Sequence, residues 1–171
     1  MIEKIVSGGQ TGVDRAALDA AIYMSIPYGG WCPKGRIDEL GIIPSKYSNL
    51  IEITGNFNTE KENYVARTKA NIKDSDGTLI IVPKLPFLKD SGTAFTINEA
   101  SVQKKPYLTI DISQSEEENF SKIHEFIMQN GIKVLNVAGP RESNNKGIYQ
   151  KTFDFLKYIF QQLELNCLYS I

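Results

Sequence analysis

The stretch Ser7-Gly8-Gly9-Gln10-Thr11-Gly12 lies between a short β-branched run and an amphipathic segment. In that setting backbone N–H groups and a helix N-terminus can meet an anion. Glycines Gly8, Gly9 and Gly12 would let the backbone approach a phosphate closely, while Gln10 and Thr11 add neutral donors beside it. The match to G-x-G-x-x-G is incomplete, because Ser7 stands at the first glycine position. A Walker A loop is excluded, since Val13-Asp14-Arg15 follows Gly12 where that motif needs Lys and Ser or Thr. Read without a ligand, the same residues make a tight strand-to-helix turn. Asp14, in the first helical turn, suits a ligand site or simply the helix dipole. On these grounds Gly9→Val is expected to abolish ligand retention while leaving the fold intact.

Two more turns of this kind follow later in the chain. Asp90-Ser91-Gly92-Thr93-Ala94 opens a helical segment and would present the N–H groups of Gly92 and Thr93. Ala138-Gly139-Pro140-Arg141-Glu142-Ser143 leads into the last helical segment. In a parallel sheet all three turns emerge on one edge and would define a crevice. A dinucleotide fold would carry an acidic residue after its second strand, whereas here the chain reads Gly29-Gly30-Trp31-Cys32-Pro33-Lys34-Gly35-Arg36. Lys34 and Arg36 beside Trp31 suit a phosphate and a flat ring, or they are solvated loop charges. Tyr64, Arg67 and Asn71 share one polar stripe at helical spacing, from which Arg67 could reach a phosphate.

The elements that must position these residues alternate. Strands are expected at Lys4 to Ser7, Pro27 to Trp31, Leu50 to Ile53, Thr78 to Val82, Tyr107 to Ile112 and Lys133 to Val137. Helical periodicity covers Val13 to Met24, Glu60 to Asp74, Thr93 to Lys104, Glu116 to Gln129 and Gly147 to Leu165. Alternation of this kind predicts an α/β fold, a Rossmann-like three-layer arrangement with a mainly parallel sheet covered by helices on both faces. Beyond its first strand residues, the segment Pro27 to Gly55 reads as a long surface loop. Tyr149, Phe153, Leu156, Phe160 and Leu163 form an apolar stripe on the final helix, widened by Phe155 and Ile159. That surplus covers the core or forms a homodimer contact.

With 171 residues and no linker or repeat, one domain is expected to span 1–171. Nineteen basic residues against 20 acidic ones give no bulk attraction to nucleic acid or to an anionic membrane. The two cysteines, Cys32 and Cys167, match no metal or redox spacing. No basic-then-apolar leader and no membrane-length apolar run is visible, so a cytoplasmic protein is expected. His124, the only histidine, lies on an apolar helix face and reads as structural. No protein-ligated metal is therefore predicted, and no catalytic residue is assigned.

Taken in order, Ser7 to Arg15, Gly30 to Arg36, Arg67-Thr68-Lys69-Ala70-Asn71, Ser75-Asp76-Gly77-Thr78 and Asn136 to Ser143 closely resemble the putative molybdenum carrier family. That family is similar to molybdenum cofactor carrier proteins and sits with the Rossmann-like superfamily of LOG phosphoribohydrolases and DprA. The resemblance implies a homo-oligomer whose pocket holds molybdenum cofactor (molybdopterin), molybdate or a related phosphorylated, nucleotide-like ligand. Gly8, Gly9, Thr11, Gly12, Gly92 and Thr93 would cradle its anionic groups and Arg36, Arg67 and Arg141 would neutralise them. LOG enzymes carry a glutamate three residues after the Gly-Thr pair; here Thr96 holds that place. The nearest carboxylate, Glu99, is rotated by roughly 60° and displaced by about 4.5 Å along an ideal helix. A carrier is thus the leading expectation. A nucleotide phosphoribohydrolase using Glu99 or Asp14, or a nucleotide-sensing scaffold, is the alternative.

Overall fold

The computed structural model describes residues 2–87 and 91–168. Asp90, expected to begin the second turn, lies outside them. Eight strands and five helices are found among the described residues. In chain order they are β1 (Lys4–Val6), α1 (Val13–Tyr23), β2 (Tyr28–Cys32), β3 (Ile37–Asp38), β4 (Gly41–Ile42), β5 (Leu50–Glu52), α2 (Glu60–Lys73), β6 (Gly77–Val82), α3 (Ser91–Val102), β7 (Tyr107–Asp111), α4 (Glu116–Asn130), β8 (Val134–Ala138) and α5 (Ile148–Leu168).

Six strands form one sheet in the order β5-β2-β1-β8-β6-β7, and each neighbouring pair is parallel. From β1 the chain steps outward through β2 to β5. It then crosses to β6 and β7 on the other side. Last of all, β8 fills the gap between β1 and β6. Its residues pair with both neighbours: Leu135 stands opposite Ile5 and Gly77, and Asn136 opposite Val6 and Thr78.

Strand alternation divides the two faces. Ile5, Leu79, Ile81, Ile110, Leu135 and Val137 pack with residues of α1, α4 and α5 in the main core. On the opposite face lie α2 and α3, which contact each other. Every residue of β6 is buried, as a strand covered on both sides requires. Ala16, Ala17, Ala20 and Ala21 of α1 are all fully buried, and their small size lets α1 lie close against its neighbours. The expected three-layer α/β architecture is what the chain adopts.

Local signals explain the helix ends. Thr59 accepts from the Glu62 N–H at 3.2 Å to cap α2, and Ser115 accepts from the Glu118 N–H at 3.1 Å to cap α4. Gly131 closes α4 in the left-handed conformation. The apolar stripe of α5 is largely spent inside the chain: Phe155, Leu156, Ile159 and Phe160 are buried against α1 and α4. On its flank, Phe153 meets the rings of Tyr23 and Tyr149, with the Lys157 ammonium over Tyr23 and Phe153.

Within the segment expected to be a loop, the chain forms the β3–β4 hairpin, pairing Ile37 with Ile42 and Asp38 with Gly41. Beyond it, Ile43, Tyr47 and Leu50 make a second small core with Leu18 and Cys32.

Candidate functional site

The loops after β1 and β8 and the opening turns of α3 converge at the carboxyl edge of the sheet. There they border a crevice of about 590 Å³ between α2, α3 and the end of β8. Gln10, Asp14, Arg67, Gly92, Thr96, Gly139 and Arg141, all expected site residues, line it. Tyr64, Thr68, Asn71, Phe95, Asn136 and Asn144 complete much of the wall.

Asp14 is the buried anion of this wall. Its Oδ2 accepts from the Gln10 N–H at 3.3 Å and from Arg67 Nη1 at 3.1 Å. Burial pushes the Asp14 carboxyl above the usual carboxylate range, against the opposing pull of Arg67, the Gln10 N–H and Arg141. Arg67 crosses from α2 to reach it and lies directly over Gly8, where a Cβ would come within 1.6 Å of Nη1. A side chain at Gly8 would therefore displace the Arg67 guanidinium.

Of the buried donors that have no acceptor among the described residues, two belong to residues lining the crevice: Gln10 Nε2 and Arg67 Nε. Gln10 cannot turn round to relieve this, because its Oε1 already accepts from the N–H groups of Thr11 and Glu39 at 3.0 and 3.1 Å. Unpaired buried donors are costly, and at a crevice wall they match an acceptor-rich ligand. Arg141 adds the second cation, its guanidinium 4.8 Å from the centre of the Tyr64 ring. Thr96 donates its hydroxyl to the Gly92 carbonyl at 3.0 Å.

Other expected residues take different places. Gly9 has φ +76, and a Cβ there would meet Leu50 Cδ1 at 2.7 Å and Ile43 Cδ1 at 3.2 Å. A side chain there would face the small core, not the crevice, so Gly9→Val is expected to disturb the fold rather than spare it. Gly12, at φ +75, caps α1 where a Cβ would lie 2.5 Å from the Pro140 carbonyl oxygen and 2.7 Å from the Glu142 nitrogen. The loops after β1 and β8 thus press together at Gly12. The first N–H of α1, on Val13, donates to the Pro140 carbonyl at 3.2 Å and is not free for an anion. Thr93 is buried without a partner for its hydroxyl among the described residues and does not line the crevice.

The cation-rich loop is not brought to the crevice. Arg36 clamps the Leu50 and Tyr47 carbonyls at 2.9 and 3.0 Å. Lys34 Nζ donates to the Gly55 carbonyl at 3.0 Å, beside a shallower groove with Phe57 and Asn63. Trp31 donates its indole N–H to Asp74 at 2.7 Å and does not line the crevice. Asn71 matches both backbone groups of Trp31, accepting its N–H at 2.7 Å and donating to its carbonyl at 2.9 Å. It stands in for β1, whose pairing with β2 stops at Val6 and Gly29. Glu99 also lies outside the crevice, its carboxylate taken by Gln103 at 2.8 Å and facing Lys69 at 3.7 Å.

Three residues with important contacts were not singled out from the sequence. Asn136 faces the crevice from an otherwise apolar strand and donates to Thr78 Oγ1 at 3.2 Å. A polar residue in a buried strand was its available signal. Glu142 bonds the N–H groups of Gly147 and, at 3.0 Å, Tyr149, capping the start of α5. Glu39, at the hairpin tip, bonds Thr11 and Ser143. Among the described residues no group of three or more His, Cys, Asp or Glu side chains could hold a metal ion, and no helix is long and apolar enough to cross a membrane.

Fold and crevice together define a Rossmann-like α/β protein with a polar crevice at the carboxyl edge of its sheet. The chain belongs to the circularly permutated YpsA SLOG family, whose model matches residues 5–160. It is also similar to the crystal structure of a putative molybdenum carrier protein from Syntrophus aciditrophicus SB. That similarity has 46% sequence identity and a TM-score of 0.82, covering 92% of this chain and 94% of that one. No curated protein matches.

Proposed function

We propose that the chain is a cytoplasmic carrier that holds molybdenum cofactor, or a closely related phosphorylated ring compound, in the crevice. The observation that carries this reading is the pair of buried unpaired donors, Gln10 Nε2 and Arg67 Nε, at a wall that also bears Arg141. Anionic oxygens supply the acceptors these groups lack. Tyr64 and Phe95 give the same space flat apolar surface for a ring, and Asn136 offers a polar edge. The volume of about 590 Å³ falls within the roughly 300–1,000 Å³ range of small-molecule sites. The name of the Syntrophus protein points the same way.

Mass spectrometry of the natively purified protein, combined with metal analysis, tests the reading. A co-purified pterin with molybdenum is expected. Recovery of a nucleotide, or of no ligand, would overturn it. One observation favours a second reading, cleavage of a nucleotide N-glycosidic bond: Asp14 is a buried carboxyl in the crevice with its pKa raised, as a general acid or base requires. Incubation with nucleoside monophosphates should then release free base, and Asp14→Asn should stop it.

A further inference from the structure

Next to the crevice, the chain has built a nest of donors around one of its own carboxylates. Thr11 Oγ1 accepts the Glu142 N–H at 3.3 Å, so its own hydrogen is directed to Glu39 Oε1. Ser143 contributes its N–H, 3.2 Å from the same oxygen, and its hydroxyl bonds Glu39 Oε2. These donors come from the loops after β1 and β8, both of which also line the crevice through Gln10 and Arg141. Burial raises the Glu39 carboxyl, but the bonds from Ser143 and Thr11 and the nearby Arg141 outweigh it and hold the group below its ordinary range.

What brings Glu39 here is the β3–β4 hairpin, and its hold on the body is polar. Asp38 pairs with Arg15, and the Glu39 N–H donates to Gln10 Oε1 at 3.1 Å. The outward side chains Leu40 and Ile42 are 78% and 80% exposed, so little apolar contact ties the tip down. Beneath the hairpin lies Gln10, 96% buried, with its Nε2 lacking an acceptor among the described residues.

We propose that Glu39 is a built-in occupant of an oxyanion site formed by Thr11 and Ser143, displaced when a tetrahedral oxyanion enters and releases the β3–β4 hairpin. The incoming group is a phosphate ester or a free oxyanion such as molybdate, which share the geometry and charge the donors recognise. The inference rests on the reading of the crevice as an anion site. It adds a second set of donors beside that crevice, occupied in the resting protein by the protein's own carboxylate. Binding then costs the contacts of Glu39.

Inorganic phosphate and molybdate serve as separate probes in calorimetric titrations of the wild type, Glu39→Gln, Glu39→Gln/Ser143→Ala and Arg141→Ala. Glu39→Gln should bind at least one probe about tenfold more tightly than the wild type, and the double variant should lose that gain. Amide hydrogen exchange on the wild type gives a second readout free of any folding defect: saturating probe should speed exchange at residues 39–42. Glu39→Gln binding no better than the wild type, or unchanged exchange in the hairpin, would overturn the proposal. If Arg141→Ala still weakens binding in that case, the crevice reading survives without the Glu39 closure. If no variant binds either probe, both fail.

Discussion

Asp14 and Arg67 show how far one pair of side chains serves both fold and site. Each is almost withdrawn from water, and among the described residues neither has another opposite charge bonded to it. Removing one member of a buried pair typically costs 3–5 kcal/mol because the other is stranded. Arg67→Met is therefore expected to lose about 3 kcal/mol near neutral pH, read by urea unfolding. The pH dependence has a definite sign. Burial raises the folded-state pKa of Asp14 and Arg67 opposes the rise, so removing Arg67 raises it further. A carboxyl raised on folding contributes stability below its unfolded pKa, about 3.9, and loses it as pH climbs through the folded value. The deficit of Arg67→Met should accordingly shrink between pH 8 and pH 5; an unchanged deficit would mean that the charge on Asp14 is not what Arg67 supports. Asp76 has the opposite sign. Its carboxylate accepts the N–H groups of Val134 at 2.7 Å and Lys133 at 3.0 Å, chiefly the first of which lowers its pKa. Asp76→Ala should cost about 1 kcal/mol above pH 5, and the difference should vanish as pH falls through the lowered folded value. Asp14 and Arg67 were legible as candidates because their types stand in readable turns and stripes. Glu39 was not, since nothing local marks a carboxylate whose partners lie 28 and 104 residues away.

At the scale of elements, the readable parts were those whose pattern is local. Continuous apolar runs gave β6, and helical spacing gave α2 and α4. The β3–β4 hairpin escaped because its strands hold two residues each, too few for any period to show. The same loop misled the reading of Lys34 and Arg36: clustered cations suggest an anion, yet both are spent on backbone carbonyls of their own segment. Gly9 carries the clearest consequence. It joins the turn after β1 to the small core under the hairpin, with a positive φ that side chains rarely adopt. Strain at such a position costs about 1–3 kcal/mol and overpacking a similar amount. Gly9→Val is thus expected to lower unfolding stability by about 3 kcal/mol or more. Any loss of ligand in that variant would follow from the fold. A stability within 1 kcal/mol of wild type, roughly the low end of those costs, would show that Leu50 and Ile43 yield.

For the whole molecule, the decisive fact is that the last strand is central. Alternating elements predicted a parallel sheet but not its order, because order is set by which helices cross which face, and no residue pattern records that. With β8 between β1 and β6, the sheet is complete only when the C-terminal quarter has arrived. A chain ending at Asn130 would lack Leu135, Val137, Phe155, Leu156, Ile159 and Phe160 from the main core. It should show no cooperative unfolding by circular dichroism, whereas loss of an edge strand would leave a weakened but folded sheet. The same geometry ties ligand to stability. The crevice draws on the loop after β1, on α2, on α3 and on the loop after β8, so an occupant bridges elements that open together when the sheet unfolds. A ligand present at 100 times its dissociation constant stabilises the folded state by about 2.7 kcal/mol. For a domain of this size that corresponds to a rise in melting temperature of roughly 5–10 °C. Protein purified with its ligand should melt higher by about that amount than the same protein stripped by denaturation and refolding, and adding back the extracted small-molecule fraction should restore the difference. Equal melting temperatures with ligand demonstrably bound would place the ligand outside this crevice, on a part of the surface that does not join these elements.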